Sequence, residues 1–438
     1  MYRIGTIALV LAGFGLVVVP WQLTGDRAVV SSQVNAAARE AKEEDKPEVT
    51  KGPGGLPMVG KSVELLRPLD EGIEKIMLRH GVPGASVAIT RHGKLIFARG
   101  YGWSHHEKNA HTTPETLFGL ASVSKVFTAL AILVLVEDGK LKLDQKAFEI
   151  LEGLEPLPRV VPDPRLSQIT IRQLLNHSGG WDRDKTGDPI NWSQQVSYNM
   201  KVRMPIDENQ LIRYTLGAPI DFDPGTKTVY SNFGYIVLGQ IVAKVSGQTY
   251  ERFVQTRVLK SMGIKHMSLH DKGGRYFDSE ARRYNAGILQ AMPAYNSPWT
   301  DASGGWAASA VDLARMMTAV DGSRTGKPFL GKEAMQEMLA PPPKPLVPRA
   351  DKTYFGLGWD AVQPIKEAHG YMKSGSWPGV RATVKHRVDG INTIILYNAL
   401  IQMDPLDLRI ANDASRDIQE QLAQVKEWPS EDLFDKYR

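Results

Sequence analysis

One stretch of the chain places a serine and a lysine at the start of a buried helix. Residues 118–137 read FGLASVSKVFTALAILVLVE, and Ser122 and Lys125 stand just before the uncharged run. A run of this length and composition predicts a core helix from Val123 to Glu137. The stretch therefore supplies a central helix of the fold and a candidate nucleophile at its amino end.

Ser122 and Lys125 form the only Ser-x-x-Lys sequence in the chain. Residues three apart share one face of a helix, with Cβ atoms about 5–6 Å apart. A serine hydroxyl is a weak nucleophile until a base lies beside it, and a lysine amine can be that base when apolar neighbours lower its pKa. The alternative is a helix-capping serine followed by a solvated lysine. Burying a charged lysine in an apolar helix costs free energy unless the residue has a function, and this favours the catalytic interpretation.

The second candidate motif is the only Tyr-x-Asn sequence, formed by Tyr230, Ser231 and Asn232. A tyrosine between two lysine ammoniums is expected to have a depressed pKa and to act as a base or proton shuttle. Asn232 offers an amide that can orient a substrate. The alternative interpretation is a core tyrosine followed by a turn asparagine.

The third candidate motif, Lys373-Ser374-Gly375-Ser376, opens a predicted strand. An edge strand here can pair with an extended amide substrate, and the N–H of Ser376 can stabilise an oxyanion. Residues 185–187 also read Lys-Thr-Gly, but they lie in a polar run and are interpreted as a loop.

The predicted elements place strands at both ends of the chain and helices between them. Hairpin strands fall within 85–98, turning at Gly93, and two late strands at 379–386 and 391–397. Helices are predicted at 65–80, 123–137, 169–177, 235–245, 308–320 and 413–425. This order predicts an α/β protein of the α+β type, with one antiparallel sheet flanked by helices and a helical region inserted in the middle.

Taken together and in this order, the three motifs resemble the penicillin-recognising serine hydrolases, the serine β-lactamase-related family. The similarity is to the branch with class C β-lactamases, D-alanyl-D-alanine carboxypeptidases, D-aminopeptidases and esterases, because Tyr-Ser-Asn stands where class A enzymes have Ser-Asp-Asn. Further matches run from about Val82 to Asn398 and include 174–180 (LLNHSGG) and 356–359 (GLGW). The resemblance implies a β-lactamase/transpeptidase-like fold.

The resemblance also implies roles for individual residues. Ser122 is acylated, Lys125 and Tyr230 exchange its proton, Lys373 binds substrate and tunes Tyr230, and the N–H groups of Ser122 and Ser376 form the oxyanion hole. Asn232, Ser374 and Gly375 complete the implied substrate-binding set. Which of Lys125 and Tyr230 is the resting base stays open, since coupled groups titrate as a pair.

The predicted function is a serine hydrolase of ester or amide bonds that needs no cofactor and no metal. Its substrate is a small molecule or peptide, which leaves an esterase, a D-peptidase and a β-lactamase as candidates. The alternative is a penicillin-binding or sensor-type protein that is acylated without turnover. Asp182, Asp184 and Asp188 around Gly187 resemble a calcium loop, but Ser193 stands where its bidentate glutamate belongs.

Charge and cysteine content exclude several other classes. The net charge of +5 comes from 53 basic and 48 acidic residues with no basic block, which argues against nucleic acid as a partner. The chain has no cysteine, so disulfides, thiolate catalysis and cysteine zinc sites are excluded.

The amino-terminal residues predict export. A positive charge at Arg3 precedes an apolar run from Ile4 to Val19, as in a signal peptide or a membrane anchor. We therefore predict a signal or anchor at 1–36, a flexible linker at 37–60, a hydrolase domain at 61–412 and a helical tail at 413–438. The expected location is periplasmic or extracellular, with the amino-terminal segment as a membrane tether if it is not cleaved.

Overall fold

The computed structural model describes residues 48–158, 160–270, 273–295, 297–366, 368–400 and 416–437. The chain divides into residues 1–47 and 48–438, and the described fold belongs to the second unit. The predicted signal or anchor and residues 37–47 of the predicted linker lie outside the described residues. Within those residues, none of the helices has the length and apolar character that a membrane span requires.

A nine-stranded antiparallel sheet forms the centre of the fold. Its strands are β1 (Val49–Lys51), β2 (Pro57–Val59), β3 (Gly84–Arg91), β4 (Lys94–His105), β5 (Ala110–His111), β11 (Ala361–Ile365), β12 (Ala368–Trp377), β13 (Val380–His386) and β14 (Ile391–Tyr397). The order is β1-β2-β4-β3-β14-β13-β12-β11, with β5 paired to β4. The sheet thus joins the two ends of the folded unit, as the order of predicted elements implied.

Two small sheets lie outside the main one. The first contains β6 (Phe118–Gly119), β7 (Ser268–Leu269) and β10 (Trp306–Ala308), and the second contains β8 (Tyr284–Asn285), β9 (Ile288–Ala291) and β15 (Ala399–Leu400). Strand β10 is central in the first and pairs with both neighbours antiparallel. This pairing fixes the chain just before Ser122.

The helices fall into an early one, a middle group and a late one. They are α1 (Arg67–His80), α2 (Ser124–Glu137), α3 (Ala147–Ile150), α4 (Ile171–Leu175), α5 (Ser193–Met200), α6 (Glu208–Thr215), α7 (Asn232–Ser246), α8 (Tyr250–Phe253), α9 (Lys260–Met262), α10 (Asp301–Gly304), α11 (Ala310–Val320), α12 (Lys332–Leu339) and α13 (416–424). A π-helical turn, Val254–Leu259, joins α8 to α9. Most of the middle group is the inserted helical region.

The sheet separates two hydrophobic cores. Val87 and Ile89 face a core shared with α1 and α13, to which Ile418 and Leu422 contribute. Ala88, on the opposite face of β3, belongs to the larger core that contains α2 and the helical region. Successive side chains of a strand point to opposite faces, so this alternation follows from the pleat. The result is the predicted α+β fold, a sheet covered by helices on both faces.

Helix α2 is the buried helix that the sequence predicts. Every residue from Ser124 to Leu135 is buried, and the helix ends at Glu137, with Asp138 as its cap and Gly139 following at a φ of 70°. The late strands and the hairpin turn at Gly93 also match their predictions. Helix α4 is shorter than predicted and ends at Leu175, because His177 adopts a left-handed φ of 63°.

The prediction of a flexible linker is wrong for its last residues. Strands β1 and β2 extend the edge of the main sheet, and Met58 and Val59 are buried. The Glu74 carboxylate accepts hydrogen bonds from the N–H groups of Gly54 and Leu56, both at 2.9 Å. These long-range bonds order a segment whose Gly/Pro-rich composition alone indicates flexibility.

Candidate active site

Ser122 lies in a short 3₁₀ turn, Ala121–Val123, between β6 and α2. The turn is anchored by the N–H of Leu120, which donates to the carbonyl of Trp306 at 2.8 Å. Ala121 has a left-handed φ of 46°, an unfavourable conformation for a residue with a Cβ. The strained residue turns the chain sharply, so that half-buried Ser122 stands at the amino end of α2.

Lys125 is completely buried one turn along the helix. Its Nζ lies 3.4 Å from Ser122 Oγ, 2.6 Å from Asn232 Oδ1 and 2.5 Å from the carbonyl oxygen of Ser303. Burial, followed by the charge of Lys373, holds the pKa of Lys125 well below its ordinary value. A neutral amine has two N–H groups and one lone pair. The two oxygens accept the N–H groups, which leaves the lone pair for the Ser122 hydroxyl.

Tyr230 approaches Ser122 from the segment that precedes α7. Its Oη lies 2.7 Å from Ser122 Oγ. Lys125 Nζ and Lys373 Nζ are 5.1 and 5.0 Å from the centroid of the Tyr230 ring. The tyrosine therefore lies between two lysines, as its motif suggested.

The expected depression of the Tyr230 pKa is wrong. Burial, and then the negative charge of Asp360, raise the pKa of Tyr230 well above its usual value. Lys373 is paired with Asp360, and the depressed pKa of Lys125 favours a neutral amine, so little net positive charge remains to stabilise a phenolate. Tyr230 is therefore protonated and donates its hydrogen bond to Ser122.

Asn232 links Lys125 to a second buried group. While its Oδ1 accepts from Lys125, its Nδ2 donates to Asp188 Oδ2 at 2.6 Å. Asp188 is 5% exposed, although sequence reasoning considered it only as part of a calcium-like loop. The acidic residues of that loop do not converge, because Asp182 pairs with Lys227 at 2.7 Å while Asp188 faces Asn232.

Lys373 extends from β12 and is also completely buried. Its Nζ forms an ion pair with Asp360 Oδ1 at 2.5 Å. The other carboxylate oxygen of Asp360 accepts from the N–H and the hydroxyl of Ser374, at 3.0 and 3.2 Å. Asp360 was absent from the predicted set, although it directly follows the quoted residues 356–359.

Strand β12 offers a free edge beside Ser122. Its residues 373–377 pair with β13, whereas the pairing with β11 stops where Ala361 meets Met372. The N–H of Ser374 points away from β13 toward Asp360. Alternate N–H groups of a strand point to the same side, so the N–H of Ser376 also points to the free edge.

Gly375 allows this edge to approach the serine closely. A Cβ on Gly375 would lie 2.1 Å from the carbonyl oxygen of Leu120 and 2.8 Å from the nitrogen of Ser122. The residue must therefore be glycine for the strand to pass the turn. The approach brings the backbone around Ser376 to the amino end of α2, the arrangement that an oxyanion hole needs.

His177 supports the site through its contacts with Ser231 and Tyr230. It is buried, its Nδ1 accepts from the N–H of Ser231 at 3.1 Å, and its ring packs on Tyr230 at 4.6 Å between centroids. Burial, then the two lysines, hold the pKa of His177 well below its ordinary value. A neutral, hydrogen-bonded histidine suits a structural role. Residues 185–187 are exposed loop residues, as expected.

The fold and this cluster of serine, lysine and tyrosine define a protein of the β-lactamase/transpeptidase class. Residues 65–403 match the sequence model of the family described as Beta-lactamase, and the chain belongs to that family. Protein flp of Staphylococcus aureus (strain N315) is 30% identical over 200 residues, which are 46% of this chain and 37% of that protein. The chain thus aligns with little more than a third of this relative.

Two solved structures share the fold at low sequence identity. The octameric penicillin-binding protein homologue from Pyrococcus abyssi has a TM-score of 0.65 and 23% identity, covering 83% of this chain and 78% of that one. The D-amino acid amidase from Ochrobactrum anthropi SV3 has a TM-score of 0.64 and 20% identity, covering 82% of this chain and 100% of that one. At these identities the likeness concerns the fold alone.

Proposed function

We propose that the protein hydrolyses ester or amide bonds through an acyl-enzyme formed on Ser122. One observation carries the proposal: the Ser122 hydroxyl lies 2.7 Å from the Tyr230 hydroxyl and 3.4 Å from the Lys125 amine, whose pKa is depressed. A serine placed between a proton acceptor and a proton donor is an activated nucleophile. The substrate is a small ester, amide or peptide that reaches the edge of β12.

Lys125 is the resting base in this mechanism. Its neutral amine takes the proton of Ser122 as Oγ attacks the carbonyl carbon of the substrate. The developing oxyanion accepts hydrogen bonds from the N–H groups of Ser122 and Ser376. Tyr230, which is protonated, gives its proton to the leaving oxygen or nitrogen, and the proton on Lys125 replaces it.

Deacylation repeats these steps with water as the nucleophile. Water attacks the ester carbonyl on Ser122, its proton passes to the Tyr230–Lys125 pair, and Ser122 Oγ is released with a proton as the acid product leaves. Lys373, paired with Asp360, lies beside Tyr230 on β12, where it can contact the substrate. The D-amino acid amidase of similar fold supports amide hydrolysis as one candidate activity.

Turnover of defined substrates tests the proposal. Protein starting at residue 37 is mixed with a 4-nitrophenyl ester, a D-alanine nitroanilide and a chromogenic cephalosporin, beside Ser122→Ala and the exposed control Ser167→Ala. Hydrolysis of at least one substrate that is lost only in Ser122→Ala is the expected result. A stable adduct without turnover favours the sensor-type alternative, and hydrolysis that survives in Ser122→Ala contradicts the proposal.

A further inference from the structure

The segment 182–203 has no role in the resemblance, yet one of its residues reaches the active site. Asp188 is buried, and its carboxylate accepts the 2.6 Å hydrogen bond from Asn232 Nδ2. Asn232 in turn accepts from Lys125 Nζ at 2.6 Å. A continuous chain of hydrogen bonds therefore runs from the loop to the lysine beside Ser122.

We propose that Asp188 is a positioning residue, which fixes the amide of Asn232 and through it the amine of Lys125. An asparagine amide can present either its oxygen or its nitrogen to a neighbour. A carboxylate only accepts, so Asp188 faces the nitrogen and forces the oxygen toward Lys125. With that oxygen and the carbonyl of Ser303 both accepting, the lone pair of Lys125 is held toward Ser122. The inference rests on the proposed function, because it assigns a task within the same site.

The element that carries Asp188 is itself held firmly. Asp188 caps the 3₁₀ turn Pro189–Asn191, with its Oδ1 accepting from the N–H of Ile190 at 3.3 Å. The carbonyl of Ile190 accepts from Trp299 Nε1 at 3.0 Å, and Ile190 and Trp299 are both buried. One carboxylate oxygen thus fixes the turn while the other fixes Asn232. This division of contacts suits a group that positions another.

The charge of Asp188 has a second consequence. The proton that Lys125 takes from Ser122 produces a buried ammonium, and Asp188 and Asp360 are negative charges that favour it. The other groups that face Lys125 are Lys373, Arg183 and the phenols of Tyr230 and Tyr235. Replacing Asp188 by a neutral residue therefore makes Lys125 harder to protonate.

Three variants of the complete folded unit separate these effects. Asp188→Asn keeps an oxygen that can accept from Asn232 but removes the charge, and Asp188→Ala removes both. Asp184→Asn is the matched control, since Asp184 is an exposed acid of the same loop. Thermal unfolding is measured for each variant to show which of them fold. If Asp188→Ala folds poorly, Asp188→Asn still tests the proposal.

We expect kcat for ester hydrolysis to fall about 100-fold in Asp188→Ala, where Lys125 is no longer held in place. In Asp188→Asn we expect a loss of about tenfold and a shift of the acid limb of kcat/KM to lower pH, because the pKa of Lys125 falls. Asp184→Asn should match the wild type. An unshifted pH profile with wild-type kcat in both Asp188 variants overturns the positioning role and leaves the proposed function intact.

A crystal structure of Asp188→Ala gives a result that does not depend on turnover. An Asn232 amide turned away from Lys125 supports the positioning role even if no tested substrate is hydrolysed. Unchanged contacts between Asn232 and Lys125 overturn it. Absence of any Ser122-dependent reaction in the wild type, by contrast, counts against the proposed function.

Discussion

The Lys373 ammonium lies 2.5 Å from the Asp360 carboxylate, and this ion pair stands beside the ring of Tyr230. Lys373 is completely buried, whereas the Asp360 side chain is 24% exposed. Burial raises the pKa of Tyr230, and the ion pair helps to explain why the two nearby lysines do not lower it again. One lysine is neutralised by Asp360, and burial lowers the pKa of the other.

Asp360→Asn should destabilise the folded state, because it leaves the Lys373 charge buried without its partner. Removing one member of a buried ion pair costs about 3 kcal/mol in the free energy of unfolding. Urea unfolding of Asp360→Asn measures this loss. Asp389→Asn is the control, since Asp389 pairs with Arg387 on the surface and should matter little. Equal stability of Asp360→Asn and Asp389→Asn would contradict the account. The double variant Asp360→Asn/Lys373→Met should recover stability, because it removes the unpaired buried charge.

Lys373→Met should move the acid limb of the kcat/KM profile to higher pH. The proposed base is neutral Lys125, so the rate rises as pH increases through the pKa of that group. The charge of Lys373 lowers the pKa of Lys125, and removing the charge raises it again. The carboxylate of Asp360, left unpaired in Lys373→Met, also raises the pKa of Lys125. Ester hydrolysis measured across the pH range in which both proteins stay folded checks the sign, and a shift to lower pH would show that another group is the base.

Gly375→Ala should lower activity strongly, with a moderate loss of stability. The new Cβ would lie 2.1 Å from the carbonyl oxygen of Leu120, so β12 must move away from Ser122. We expect kcat/KM to fall about 100-fold through loss of an oxyanion donor, and overpacking to cost about 1–3 kcal/mol.

Gly370→Ala on the same strand is the matched control. Its Cβ would meet only the carbonyl oxygen of His386 at 3.7 Å, an ordinary contact. Assays and urea unfolding of both variants give the comparison. Similar activity of Gly375→Ala and Gly370→Ala would mean that the close approach of β12 to Ser122 has no catalytic role.

Met58→Ala should lower the free energy of unfolding by about 2–3 kcal/mol, as for other buried methionines. Met58 is 3% exposed on β2, in the segment that composition predicted to be flexible. Val49→Ala, at a residue 48% exposed on β1, should cost much less. If denaturant unfolding gives the same stability for both variants, the two edge strands do not belong to the cooperative fold.

Much of the fold was predictable because its elements carry local patterns. Helix α2 is a continuous apolar run, and β14 occupies the predicted residues 391–397. The edge strands β1 and β2 were not predictable, because they are short and are held by Glu74, which lies many residues away. Long-range pairing of this kind leaves no periodic signal in the segment itself.

The candidate site was predictable where its residues form motifs. Ser122, Lys125, Tyr230 and Asn232 stand in two short motifs, and the structure brings them together. Asp188 and Asp360 act through contacts with residues outside their own segments, Asn232 and Lys373, and no local spacing predicts such contacts. The pKa of Tyr230 is raised first by burial and then by Asp360, and neither is visible in the motif, so the motif alone gave the wrong sign.

The most direct test of the central claim is to trap the acyl group on the protein and locate it. Wild-type protein is mixed with a slowly released ester, quenched in acid, digested and analysed by peptide mass spectrometry. The account predicts one acyl group on Ser122 and none in Ser122→Ala. Turnover of the same ester with Ser122 unmodified, or an acyl group on Ser124 or Tyr230 instead, would contradict it.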